Sequence, residues 1–253
     1  MHVYATGFSI PKMGNIKEEN DDAFCPINPL DTYGEIFRFA LADGATESPL
    51  SNQWARYLTE TVCLKDENIE VNDIISGWQN KRDEYVEAKY KDGKPKQWWE
   101  EIINNSPSYS TLLYLILKDS GDFGSWNAYA VGDSCLFQIR NKALIFKFPI
   151  ESSNDFGNRP FLISSDQSSN NRLDDFKKTY IGTWQRGDRF YLMTDALAHW
   201  FIEMEETGTY PWTMLGEFQE PDTQLKFEEY IDLLRERRKI KNDDTTLISI
   251  YID

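Results

Sequence analysis

Cysteine is scarce in this chain. Cys25, Cys63 and Cys135 are its only three in 253 residues, far apart and without CxxC spacing. That excludes a disulfide framework and a zinc site, and fits a reducing compartment. Histidine is scarcer still, His2 and His199 alone, so no Cys/His pair presents itself for nucleophilic catalysis. Positive charge is also short: 27 Lys and Arg against 42 Asp and Glu leave a formal charge of -15. Nothing here neutralises a row of phosphates, which excludes nucleic acid as a partner, and anionic membrane surfaces are repelled. No apolar run approaches the roughly 18 residues of a membrane span. The N-terminal MHVYATGFSIPK lacks a basic region followed by an apolar one, so no secretion signal is expected and the protein reads as cytoplasmic.

What is present is the material of a core. Hydrophobic residues make up 40% and aromatics 14%, far from a disordered composition. HVYATGFSI, DAFCPI and IFRFALA read as strands, followed by a helix over residues 50 to 65 and a longer one from 72 to near Gly93. PKQWWEEIINN has the spacing of a short amphipathic helix. TLLYLILK, SWNAYAVGDS, CLFQIR and ALIFKFP are β-branched and aromatic runs broken by Gly, Asp and Asn. The Ser- and Asn-rich stretch 151–173 reads as a mobile surface excursion. GDRFYLMTD is then a strand and ALAHWFIEMEE a helix. DTQLKFEEYIDLLRERRKI is a helix capped by Asp222 or Thr223, with Phe227, Tyr230, Ile231 and Leu234 on one face. TTLISIYI closes the chain as a strand. This order does not alternate βαβα. It predicts an α+β class protein, a four-layer sandwich of two antiparallel sheets flanked by helices, in a single domain over residues 1–253.

Carboxylates recur where these strands begin or end: Asp22 before AF, Asp43 after FALA, Asp195 after FYLMT and Asp243 before TTLISIYI. Asp43-Gly44 alone would pass for an ordinary turn. Doublets such as Glu228-Glu229 show that acidic pairs also arise from composition alone. Carboxylates converging from several strand ends would form an oxygen-only pocket suited to Mg²⁺ or Mn²⁺.

In order, the chain carries NDDAF, ADGATES, STLLYL, AVGDSCLFQIR, GDRFYLMTDAL and DDTTLISIYI. This series resembles the metal-dependent serine/threonine protein phosphatases of the type 2C class, in their bacterial form. The resemblance spans nearly the whole chain and implies a β-sandwich with metals at one end. It implies that Asp43 bridges two Mn²⁺ or Mg²⁺ ions and that the Gly44 carbonyl binds one. Asp22, Asp195 and Asp243 would complete the ligands, with Asp21 holding metal-bound water and Asp133 serving a third, weaker ion. Catalysis would pass through Asp43, Asp22 and Asp195, with a water shared by the two ions attacking phosphorus in line. The implied partner is a phosphorylated protein, with a cognate serine/threonine kinase acting in opposition, and a monomer is expected.

Three departures from the family pattern stand out. Lys17 occupies the place of an arginine that clamps the substrate phosphate, and lacks the bidentate fork. Ala196 replaces a glycine after the Asp of TDAL. The segment after Gly44 lacks the histidine that some members use as general acid, and His199 reads as a surface residue. Lys17 and Ala196 leave a second reading open: a silent member of the fold that binds a phosphoprotein or regulates a kinase. A calcium-binding module is disfavoured, because no DxDxDG loop is present.

Overall fold

Alternation within the strands decides how the layers stack. The computed structural model describes residues 1–64, 71–89, 106–121, 123–157 and 159–253. One sheet has six strands, in the order β3 (Leu30–Tyr33), β1 (His2–Ile10), β13 (Thr245–Ile252), β12 (Arg189–Met193), β8 (Cys135–Arg140), β9 (Ala143–Phe148). The other has five, in the order β11 (Lys178–Gln185), β7 (Phe123–Val131), β6 (Leu112–Asp119), β4 (Ile36–Asp43), β2 (Asp22–Cys25). The pairings are antiparallel. A short pair, β5 (Tyr109–Ser110) with β10 (Ile163–Ser164), lies apart.

Successive side chains point to opposite faces of a strand. Phe37, Phe39 and Leu41 of β4, with Leu113, Leu115 and Leu117 of β6, therefore all turn inward. There they meet Phe190 and Leu192 of β12 and Ile248, Ile250 and Ile252 of β13. The intervening residues face out. Ala40 and Leu112 pack under Trp54, Leu58 and Val62 of α1 (Ser51–Leu64) and Ile74 and Trp78 of α2 (Val71–Lys89). On the far side Phe137, Tyr191, Met193 and Leu247 pack against Leu197 and Phe201 of the helix Asp195–Glu206. Helices α3 (Leu173–Phe176), α4 (Asp195–Glu206), α5 (Pro211–Leu215) and α6 (Gln224–Glu236) follow in chain order. Phe227, Ile231 and Leu234 of α6 are buried in this outer core, and Tyr230 is half-buried beside them. The four layers expected from the strand and helix order are present.

Several local expectations need correction. The edge strands β3 and β11 and helix α5 were not foreseen. In β11, Gly182 lies against the Trp126 ring, where a Cβ would stand 2.2 Å from a ring carbon. Its other positions are mostly exposed, so the period of two is masked. Thr223 precedes α6, but its hydroxyl donates to the Glu220 carbonyl at 2.7 Å instead of capping the helix. The stretch 151–173 carries 3-10 turns at Ser153–Asp155 and Gln167–Asn170 and the strand β10. Asn170 staples it, accepting from the Ser164 N–H at 3.0 Å and donating to the Ser164 carbonyl at 2.9 Å. The helix expected in PKQWWEEIINN lies outside the described residues. Among the described residues, no helix is long and apolar enough to cross a membrane.

Candidate active site at one end of the sandwich

The antiparallel ladders bring one set of strand ends together. Asp22, opening β2, is the cross-strand neighbour of Asp43, closing β4. At the same end β12 runs into Asp195, β13 starts just after Asp243, and Asp133 lies between β7 and β8. A cavity of about 560 Å³ opens there. Asp43, Gly44, Asp133, Asp195 and Asp243 line it, together with Thr46, Phe156, His199 and Lys241.

Backbone and hydroxyl contacts hold these carboxylates in place. The Asp43 N–H donates to Thr111 Oγ1 at 2.9 Å, and the Asp43 carbonyl accepts from Thr111 N–H at 2.9 Å and Ser110 Oγ at 2.8 Å. That is the structural work of the STLLYL stretch. Asp22 Oδ2 accepts from Thr246 Oγ1 at 2.7 Å and Thr194 Oγ1 at 3.1 Å. Asp22 Oδ1 is buried and has no hydrogen-bond partner. Asp21 accepts from Ser51 Oγ at 2.6 Å, which ties it to the first residue of α1.

Asp244 was not singled out from sequence. Its carboxylate accepts the N–H groups of Lys12 at 2.7 Å and Asp21 at 2.8 Å, pinning the exit of β1 to the approach of β2. A lone acidic residue beside a candidate ligand carries no signal of that role.

Gly44 is the other half of the Asp-Gly pair that ends β4. Its φ is not positive, so the Asp-Gly pair is not there for a left-handed turn. A Cβ would stand 2.7 Å from the Asp21 carbonyl oxygen and 2.9 Å from the Ser51 backbone. Glycine is required by close approach of chain to chain. Ala196 lies in the first turn of α4 with φ negative, so the missing glycine there brings no strain.

Electrostatics mark the cluster. Burial, reinforced by Asp22, Asp195, Asp133 and Asp243, holds Asp43 well above the ordinary carboxylate range. Burial raises Asp22 likewise against the opposing hydrogen bond from Thr246. Burial and then Asp195 push Asp133 up to about 7. Asp195 is raised by burial, with Lys241 pulling the other way. Acidic groups crowded against one another favour protonation or a cation.

The donor set is oxygen-only and includes a buried carboxylate oxygen without a partner, and this chemistry fits Mg²⁺ or Mn²⁺. Among the described residues, no three acidic side chains already converge on one point as ligands. Lys241 stands between two of them.

Lys17 lies elsewhere. The 3-10 turn Lys17–Glu19 leaves it exposed, lining a neighbouring cavity of about 400 Å³ with Asn20, Asp22 and Arg56. Lys12 reaches the rim of the acidic cavity, its Nζ donating to Thr46 Oγ1 at 3.2 Å. His199, expected at the surface, follows Asp195 by one helical turn and lines the cavity, with Phe156 edge-on at 5.2 Å. Spacing of i, i+4 on a helix puts both on one face.

A sequence profile described as protein phosphatase 2C matches residues 17–242. The chain belongs to the protein phosphatase 2C family. Among curated proteins no sequence matches it. Solved structures agree on the fold. The serine/threonine phosphatase PstP of Mycobacterium tuberculosis superimposes with a TM-score of 0.57 at 13% identity, both chains covered in full. The catalytic domain of PstP in complex with two manganese ions gives 0.53 at 14%, covering 100% of this chain and 99% of its own. RsbX in complex with magnesium gives 0.51 at 16%, covering 100% and 96%. At these identities the likeness speaks for the fold alone. Within this family chain, the motifs that suggested the fold are those that build the acidic cavity.

Proposed function

We propose that this protein phosphatase 2C chain hydrolyses phosphoserine and phosphothreonine in proteins with the help of two Mn²⁺ or Mg²⁺ ions. The observation that carries the reading is the acidic cavity, with Asp43, Asp133, Asp195 and Asp243 on its wall and the unpartnered Asp22 oxygen beside Asp43. Asp43 would bridge the ions, Gly44 would offer its carbonyl, and Asp22, Asp195 and Asp243 would complete the ligands. Asp133 would face a third ion, and Asp21 would hold water. When bound, the ions supply Lewis acidity, lowering the pKa of water and offsetting phosphoryl charge.

The chain's own groups position these parts. Thr194 and Thr246 aim Asp22, while Thr111 and Ser110 fix the backbone of Asp43. Lys12 at the rim and Lys17 in the adjoining cavity bring positive charge to an incoming phosphate. No thiol is placed to act as nucleophile: Cys135 is buried and burial raises it well above its usual value. A silent domain has no physical reason to hold so many like charges together in a wall, which argues against the regulatory alternative. A cytoplasmic setting, a monomeric state and a cognate kinase belong to the same proposal; the unbridged cysteines support the first.

The test is hydrolysis of an aryl phosphate and a phosphothreonine peptide, with Mn²⁺ and in EDTA. Activity with Mn²⁺, lost in EDTA and in Asp43→Asn, is expected. Equal rates in EDTA would end the two-ion reading.

A further inference from the structure

Lys241, two residues before Asp243, drew no attention as sequence. Its Nζ stands 2.5 Å from Asp243 Oδ2 and 3.4 Å from Asp195 Oδ2. The other oxygen of each carboxylate is already engaged. Asp195 Oδ1 accepts the Ala196 N–H at 2.6 Å, and Asp243 Oδ1 accepts the Asp244 N–H at 3.1 Å. The ammonium thus holds the oxygens with which these two residues would ligate an ion. Among the described residues, no lysine or arginine forms an ion pair with Asp22 or Asp43 at the other side of the cluster.

We propose that Lys241 is a built-in counter-cation of the acidic cavity, competing with a divalent ion for Asp195 and Asp243. The inference rests on the two-ion reading above and adds an asymmetry to it. An ion on the Asp43 and Asp22 side binds without a rival. An ion on the Asp195 and Asp243 side binds only as the ammonium withdraws. Withdrawal is mechanically easy, because the Lys241 side chain is 66% exposed on a flexible four-carbon stem. In the metal-free protein the ammonium relieves part of the repulsion among the carboxylates. It also makes occupancy of the second ion, and with it activity, respond to metal concentration over a higher range.

Calorimetric titration of Mn²⁺ into the metal-stripped full chain tests this, comparing wild type, Lys241→Gln and Lys241→Arg at one ionic strength. Wild type should show a tighter and a weaker step. Lys241→Gln should tighten the weaker step about tenfold and leave the tighter one unchanged, while Lys241→Arg keeps the wild-type pattern because the charge remains. The metal-free melting temperature should fall in Lys241→Gln, and the difference should close at saturating Mn²⁺. If Mn²⁺ binds but Lys241→Gln leaves the weaker step unchanged or weakens it, the competition is refuted and the two-ion reading survives. If Mn²⁺ binds none of the three proteins, the two-ion reading falls and the role of Lys241 falls with it.

Discussion

Asp133→Asn should stabilise the metal-free protein, and only above acidic pH. Asp133 is 7% exposed at the corner between β7 and β8. Burial and the charge of Asp195 push its carboxyl up to about 7. From an ordinary value near 3.9 that is a rise of about three units, or roughly 4 kcal/mol at about 1.4 kcal/mol per unit. Water entering the cavity screens the charge and leaves about half, ~2 kcal/mol. The sign follows from linkage. Near pH 4 the folded carboxyl is protonated and the unfolded one about half ionised. As pH rises the unfolded chain ionises freely while the fold retains its proton. The metal-free wild type therefore loses stability between about pH 4 and 7 and levels off above. The amide of the Asp133→Asn variant carries no charge at any of these pH values, so the variant is spared that loss. At about 2–4 °C per kcal/mol for a chain of this size, it should melt ~4–8 °C higher than wild type at pH 8 in EDTA. At pH 4, where most of that loss has not yet occurred, the gap should shrink to about 1–2 °C. Scanning calorimetry at pH 4, 6 and 8 decides the matter. An equal gain at every pH, or a loss at pH 8, would show that Asp133 does not titrate in this cavity.

Gly44→Ala should lower stability by about 1–3 kcal/mol, since its methyl would meet the Asp21 and Ser51 backbones; denaturant midpoints with an unchanged slope would measure it. Thr246→Val removes the shorter hydrogen bond to Asp22 and should weaken Mn²⁺ binding about tenfold, read by calorimetry, with a binding constant like wild type counting against the orienting role. Lys17→Ala should lower kcat/KM only about threefold, because the exposed ammonium attracts an incoming phosphate from the adjoining cavity through solvent; a loss of tenfold or more would make it a direct phosphate clamp, and no loss at all would remove it from the site. Iodoacetamide should react at Cys25 before Cys135. The Cys63 hydrogen bond holds the Cys25 thiol below its usual pKa while Cys135 is fully buried, and peptide mapping would reveal the order.

Much of the site was readable in the chain because its ligand candidates end buried strands. The apolar runs FALA and FYLMT mark where a strand stops, and the residue that follows each is Asp43 or Asp195. The sandwich was readable for a related reason: the near-continuous apolar runs IFRFALA and LLYLIL, with Phe37, Phe39, Leu41 and Leu113, Leu115, Leu117 on one face and Ala40 and Leu112 on the other, fit strands of a sheet covered on both faces. Local pattern was enough for these.

Tertiary structure alone decided the rest, because it depends on register between segments remote in sequence. Pairing of Asp22 with Asp43 is a property of the β2–β4 ladder. The hydroxyls that steer Asp22 come from positions 194 and 246, and those that hold Asp43 from 110 and 111. Cys25 and Cys63, far apart in the chain, become neighbours when α1 packs over β2, close enough for each to shift the other's titration. Lys17, read as the phosphate-binding cation from its place before NDD, stands exposed on a 3-10 turn and lines the adjoining cavity beside Asp22. Lys241, ordinary as a letter in KNDDTT, reaches two carboxylates because β13 is laid beside β12, so that Asp243 and Asp195 emerge at the same end of the sheet. Strand alternation is written in near neighbours, whereas the company a charge keeps is set by which strands lie side by side.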